Sequence, residues 1–157
     1  MADQQRDSQT DSGSYVKAGE AYSRDMNYLP DRITQSGGEP ADDRAGTGKP
    51  PVVGAPLWPV EPGRYRLIAA KACPWATRSL IVRDLLGLQD VISVGMPGPT
   101  HDTRSWTFDL DPDGRDPVLG IERLQEAYFK RDPNYPRGIT VPAIVEVESG
   151  KVVTNDF

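Results

Sequence analysis

The stretch "RYRLIAAKACPWATRS", residues 64–79, passes from an extended to a helical pattern with almost no connector. Residues 64–70 are mostly apolar and follow the turn "EPG", which suits an inner β-strand. Pro74 has the fixed φ that favours helix entry, and it lacks an N–H that would be orphaned in the first turn. Ile81, Leu85 and Leu88 then recur at i, i+4 and i+7, with Gly87 as a stop signal. The only cysteine of the chain, Cys73, therefore sits at or next to a helix N-cap.

The remainder continues the alternation. Residues 90–95, "DVISVG", read as a short second strand, and the polar, turn-rich segment 96–117 reads as a long loop. Ile121, Leu124 and Tyr128 predict a second helix over 117–133, despite Gly120 inside it. Residues 140–153, "TVPAIVEVESGKVV", predict a hairpin turning at Glu-Ser-Gly-Lys, with Pro142 tolerated at a strand start. A βαβ unit followed by a helix and a hairpin predicts a three-layer α/β domain.

That domain accounts for residues 64–157 only. Half of the glycines and prolines fall within residues 1–63, which carry few large apolar side chains. Such a stretch buries too little surface to offset its ordering entropy, so it is expected to be disordered or draped over another surface. Within it "RAGTGKPP", residues 44–51, has a phosphate-loop look, but lacks the spacing, the following Ser or Thr and the preceding strand.

Charge and cysteine use narrow the function classes. The net charge of -5, with no basic stripe, argues against nucleic acid as the partner. The N-terminus has no apolar leader core and no run approaches a membrane span, so a cytoplasmic, membrane-free protein is expected. One Cys and one His make a structural metal site an unlikely design, and no metal is expected. A single cysteine also leaves no internal disulfide or dithiol pair, so thiol chemistry has to involve a partner molecule.

Cys73 has two readings: a small buried hydrophobe, common for free cysteine, or a nucleophile. Its place at a strand-to-helix turn favours the nucleophile, because a helix N-terminus and nearby cations promote the thiolate. Lys71 and Arg78 are the cations within reach, each of which could equally be a solvated surface charge. Trp75 is expected to pack under the helix. Trp106 lies in the polar loop, where no core requires it, and His101 in the same loop reads as a surface residue.

The words "ACPWATR", "SWTFD", "DPNYP", "TVPAI" and "VVTND", in this order, resemble the N-terminal domain of glutathionyl-hydroquinone reductases, the xi-class glutathione transferases. The resemblance covers about residues 60–157 and implies a thioredoxin-like fold. It further implies Cys73 as the catalytic nucleophile, a cis Val141-Pro142 peptide, and a Val141 backbone edge that pairs with the cysteinyl part of glutathione. By the same resemblance Trp106 lies against the thiol cofactor, Arg137 meets a carboxylate of the tripeptide, and Asp156 accepts its amino group.

The resemblance also implies a cycle. Cys73 thiolate attacks the sulfur of a quinone-derived electrophile, a glutathionyl-hydroquinone, and a second glutathione resolves the mixed disulfide. Family members are about twice as long, with a helical second domain that completes the pocket and the homodimer. This chain reaches Phe157 where a third helix is expected to begin, so it reads as a partial member, weakly active alone and with an apolar sheet face left open.

Three local departures stand out: Thr77 where many members have His, Arg137-Gly138 for Gly-Arg, and Asp156-Phe157 for Glu-Ser. The last pair leaves room for another small thiol, such as mycothiol, as cosubstrate. A non-catalytic thioredoxin-like module is the alternative in which Cys73 has no chemical role.

Overall fold

The computed structural model describes residues 29, 31–34, 58–99, 101–102, 104–135 and 138–156. The phosphate-loop-like segment 44–51 and Arg137 lie outside them. The centre is a four-stranded mixed sheet of β3 (Tyr65–Ile68), β4 (Ile92–Gly95), β7 (Ala143–Glu146) and β8 (Val152–Thr154), in the order β4-β3-β7-β8. Strand β3 pairs parallel with β4 and antiparallel with β7, and β7 pairs antiparallel with β8. The parallel pair requires a crossover, which helix α1 (Pro74–Leu85) supplies. This is the thioredoxin-like α/β arrangement, with β3 inside the sheet as its apolar sequence predicts.

Register separates the two faces. Leu67 pairs with Ile144, Ile144 with Thr154 and Tyr65 with Ile92, so these share one side. On the other side Arg66, Ile68, Gly95, Ala143, Val145 and Val152 face helix α2 (Leu124–Arg131) and the loop before it. The larger core lies on that second side, where Phe108, Leu124, Tyr128, Ile139, Val145 and Val152 are fully buried.

The segment 96–117 is not the open polar loop its composition suggests. It contains two paired strands, β5 (His101–Asp102) and β6 (Ser105–Trp106), and a 3-10 turn, Pro112–Gly114. Trp106 and Phe108 join the core from it, so the core does require Trp106. Asp116 anchors the segment: its Oδ2 accepts from Arg66 Nε at 2.9 Å and Nη2 at 2.8 Å, and its Oδ1 accepts from the Val118 and Leu119 N–H groups. Both partners of this ion pair are buried, and Gly95 admits it, since a Cβ there would come within 2.6 Å of Asp116 Oδ2.

Both helices depart from their predicted outlines. Helix α2 starts at Leu124 rather than near 117, because the backbone first turns about the Asp116 carboxylate and passes Gly120 at φ +67°. Ile121 is therefore buried outside the helix. Glu126 begins the helix by accepting the N–H groups of Glu122 and Arg123. Helix α1 begins where expected, yet its apolar stripe faces outward: Ile81 is 52% and Leu85 80% exposed, and Ala76 is its buried residue.

The described part of the N-terminal region is a strap along the β8 side of the sheet. Strand β1 (Ile33–Thr34) pairs parallel with β2 (Trp58–Pro59), and Trp58 packs with Tyr65 and Val153. Leu29 N–H donates to Asn155 Oδ1 at 2.7 Å, and Thr154 Oγ1 donates to the Leu29 carbonyl at 2.6 Å. Asp31 Oδ2 accepts from Trp58 Nε1 and Arg131 Nη2.

Candidate active site

Cys73 is fixed by its own backbone before any tertiary contact. Its N–H donates to the Ala70 carbonyl at 3.0 Å, closing the turn out of β3, and its carbonyl accepts the first helical N–H, from Thr77, at 3.1 Å. With φ -103° and ψ 114° it is the N-cap of α1, with Pro74 following. The hydroxyl of Thr77 donates to the same carbonyl at 3.2 Å, which is the use this chain makes of that position. The sulfur, at the positive end of the helix, is half-buried.

Opposite the sulfur lies the loop before β7. Val141-Pro142 is a cis peptide, as the resemblance implies, and Cys73 Sγ donates to the Val141 carbonyl at 3.5 Å. The loop is held from behind. Tyr128 O–H donates to the Thr140 carbonyl at 3.0 Å and accepts the Thr140 N–H at 3.3 Å. Asn155 Nδ2 donates to Thr140 Oγ1 at 2.9 Å. Burial pushes the Tyr128 phenol far above its usual range, with the neighbouring Tyr135 adding to the shift, so it stays a neutral donor.

Beside this pair an open cavity of about 290 Å³ runs between α1 and the sheet. Leu67, Ile92 and Ile144 line it from the sheet, Trp75, Arg78 and Val82 from the helix wall, and Pro142 and Asp156 from the segments flanking β7 and β8. Its floor is the apolar sheet face on the α1 side, and Arg78, Arg83 and Asp156 are the charged groups of its lining. Trp75, expected beneath the helix, is instead 40% exposed on this wall, because Ala76 takes the inward direction.

The predicted residues thus divide. Cys73 meets Val141, while Pro142, Arg78 and Asp156 line the neighbouring cavity. Lys71 is exposed in the turn before Cys73. Trp106 is 8% exposed in β6 and belongs to the core against which Cys73 partly packs. Asp156 is already engaged: Arg32 Nη2 donates to its Oδ2 at 2.9 Å. Sequence reasoning missed Arg32, because no motif in the Gly- and Pro-rich region marks it.

A thioredoxin-like sheet, a Cys-Pro helix start and a cis-proline loop facing the thiol are together the features of a glutathione transferase N-terminal domain. Residues 72–157, more than half of the chain, match the glutathione S-transferase N-terminal domain family, and the chain belongs to it. The proteins it is similar to include glutathionyl-hydroquinone reductases, xi-class transferases and omega-like glutathione S-transferases. The glutathionyl-hydroquinone reductase PcpF of Sphingobium chlorophenolicum is 38% identical over 100 residues, covering 61% of this chain and 31% of the relative.

Among solved structures, a glutathione transferase from Gordonia bronchialis superposes with a TM-score of 0.67 at 62% identity, covering 83% of this chain and 35% of that one. The glutathione-bound structure of YqjG from Escherichia coli gives 0.56 at 38% identity, covering 61% of this chain and 32% of that one. The chain thus spans about a third of the length of the relatives it matches.

Proposed function

We propose that this chain carries the thiol-binding and nucleophilic site of a glutathione-dependent reductase acting on glutathionyl-hydroquinones. Cys73 thiolate attacks the glutathione sulfur of the conjugate; the sulfur–carbon bond breaks, the ring carbon takes a proton, and hydroquinone leaves. Cys73 is then a mixed disulfide with glutathione. A second glutathione thiolate attacks that bond, releasing glutathione disulfide and restoring Cys73. The ring carbon is reduced, and two glutathione sulfurs, the conjugate's thioether and the added thiol, end oxidised in one disulfide, so electrons balance without a further cofactor.

The observation that carries this reading is the approach of Cys73 Sγ to the carbonyl of Val141, the residue before Pro142 of the cavity lining. It places the sulfur beside an extended backbone edge to which a cysteinyl peptide can add as a short strand. Arg78 adds a positive charge on the helix wall. Glutathione as cosubstrate is supported by the glutathione-bound relative and by the reductase among the curated relatives.

A single-turnover experiment tests it. The chain is mixed with a glutathionyl-hydroquinone without added glutathione. One equivalent of hydroquinone is expected per chain, together with a glutathione adduct on Cys73 seen by mass spectrometry. An adduct formed with glutathione disulfide but not with the conjugate would restrict the chain to disulfide exchange. An unmodified Cys73, with glutathione disulfide as well as with the conjugate, would leave only the inert module.

A further inference from the structure

We propose that Arg32, carried by the N-terminal strap, is a specificity-determining residue of the thiol site: it holds the α-carboxylate of the ligand's γ-glutamyl end while Asp156 holds the α-ammonium. The proposal rests on the reading of Asp156 as the amino-group acceptor and extends the site to a segment outside the thioredoxin-like domain.

An α-amino acid terminus presents a cation and an anion a few ångströms apart. A binding site for both needs the opposite pair, side by side and open to the ligand. Arg32 and Asp156 form such a pair, 2.9 Å apart, with side-chain exposures of 35% and 28%. Asp156 lines the cavity beside Pro142, and Arg32 reaches the same carboxylate from the strap. An ion pair this exposed contributes only about 0–1 kcal/mol, so opening it costs little. A bound zwitterion exchanges that one contact for two charge-assisted ones.

The strap is held by residues other than Arg32 as well. Leu29 is tied to Asn155 and Thr154, and Asp31 to Trp58 and Arg131. The guanidinium is oriented by a second bond, from Nη1 to the Asp31 carbonyl at 3.3 Å. Arg32 therefore projects from a segment tied down by other residues toward Asp156 of the cavity lining.

The test compares rates of mixed-disulfide formation at Cys73 for the full chain and its variants with three symmetrical disulfides. These are glutathione disulfide, the analogue lacking the α-amino group (glutaryl-cysteinylglycine) and the analogue lacking the α-carboxylate (4-aminobutanoyl-cysteinylglycine). Arg32→Met is expected to slow the reaction with glutathione disulfide about tenfold, the effect of one lost charge-assisted bond. It should leave the rate with the carboxylate-free analogue within twofold, and Arg32→Lys should recover part of the loss.

Asp156→Asn should show the mirror pattern, sparing the amino-free analogue. Equal slowing with all three disulfides by Arg32→Met would overturn the assignment in favour of a structural role. Acceleration with glutathione disulfide would overturn it in favour of competition for Asp156. If the unaltered chain reacts with glutathione disulfide no faster than with hydroxyethyl disulfide, the proposed function itself fails, and this assignment with it.

Discussion

The sulfur of Cys73 lies 3.5 Å from the carbonyl oxygen of Val141, a residue 68 positions further along the chain. A strand-to-helix turn supplies one side of this contact and the approach to β7 supplies the other. The sulfur is half-buried and bordered by a polar acceptor, a setting unlike that of a cysteine enclosed in the core.

Cys73→Ala should separate reactivity from packing. Loss of a half-buried sulfur at the edge of the core is expected to change unfolding free energy by no more than about 1 kcal/mol. Adduct formation should vanish at the same time. Urea denaturation followed by intrinsic fluorescence, beside intact-mass measurement, reads both, and a loss of several kcal/mol would mark a packing cysteine.

The Arg66–Asp116 pair should be among the costliest in the domain to break. Asp116→Ala leaves a buried guanidinium without its anion and strips the Val118 and Leu119 N–H groups of their acceptor. A destabilisation of about 3–5 kcal/mol is expected in urea titrations. Arg66→Met combined with Asp116→Leu should cost less than Asp116→Ala alone, since no unpaired charge remains.

Tyr128 should give the protein an alkaline limb. Its phenol is raised by burial in the folded state, while the unfolded chain ionises near the ordinary value of about 10. The folded state thus keeps a proton that the unfolded state releases, so Tyr128's contribution is complete below about pH 10 and declines above it. The expected slope is about 1.4 kcal/mol per pH unit. Tyr65, also raised by burial, adds to this limb. Tyr128→Phe should remove its own share of the slope in unfolding titrations between pH 8 and 11, and should lose about 1 kcal/mol at neutral pH with the Thr140 hydrogen bond.

The outward stripe of α1 should be tolerant of charge. Ile81→Lys with Leu85→Glu replaces side chains that are 52% and 80% exposed, so stability should move by no more than about 0.5 kcal/mol per site. Sedimentation should show less self-association than for the unaltered chain, because an exposed apolar patch is reduced.

Residues close together in the chain carried most of what could be read in advance. The β3 turn into α1, the N-cap position of Cys73 and the hairpin of β7 and β8 all follow from short-range patterns, and each is found. Periodicity located α1 but not its inward face. The stripe of Ile81 and Leu85 matches the helical repeat whether or not anything covers it, and in the fold Ala76 points inward instead.

The segment 96–117 shows the opposite failure. Its many turn-formers concealed a core element, because the burial of Trp106 and Phe108 depends on Asp116 reaching Arg66, 50 positions earlier.

Local chemistry, then, settled where a strand ends, where a helix begins and which residue caps it. Those choices depend on φ restrictions, capping and apolar spacing within a few positions. Long-range packing decided the rest: that Val141 faces the sulfur, that Trp106 is core, and that Arg32 meets Asp156 across 124 positions. No local pattern encodes such pairings, since each exists only when the sheet brings its edges and connecting loops together.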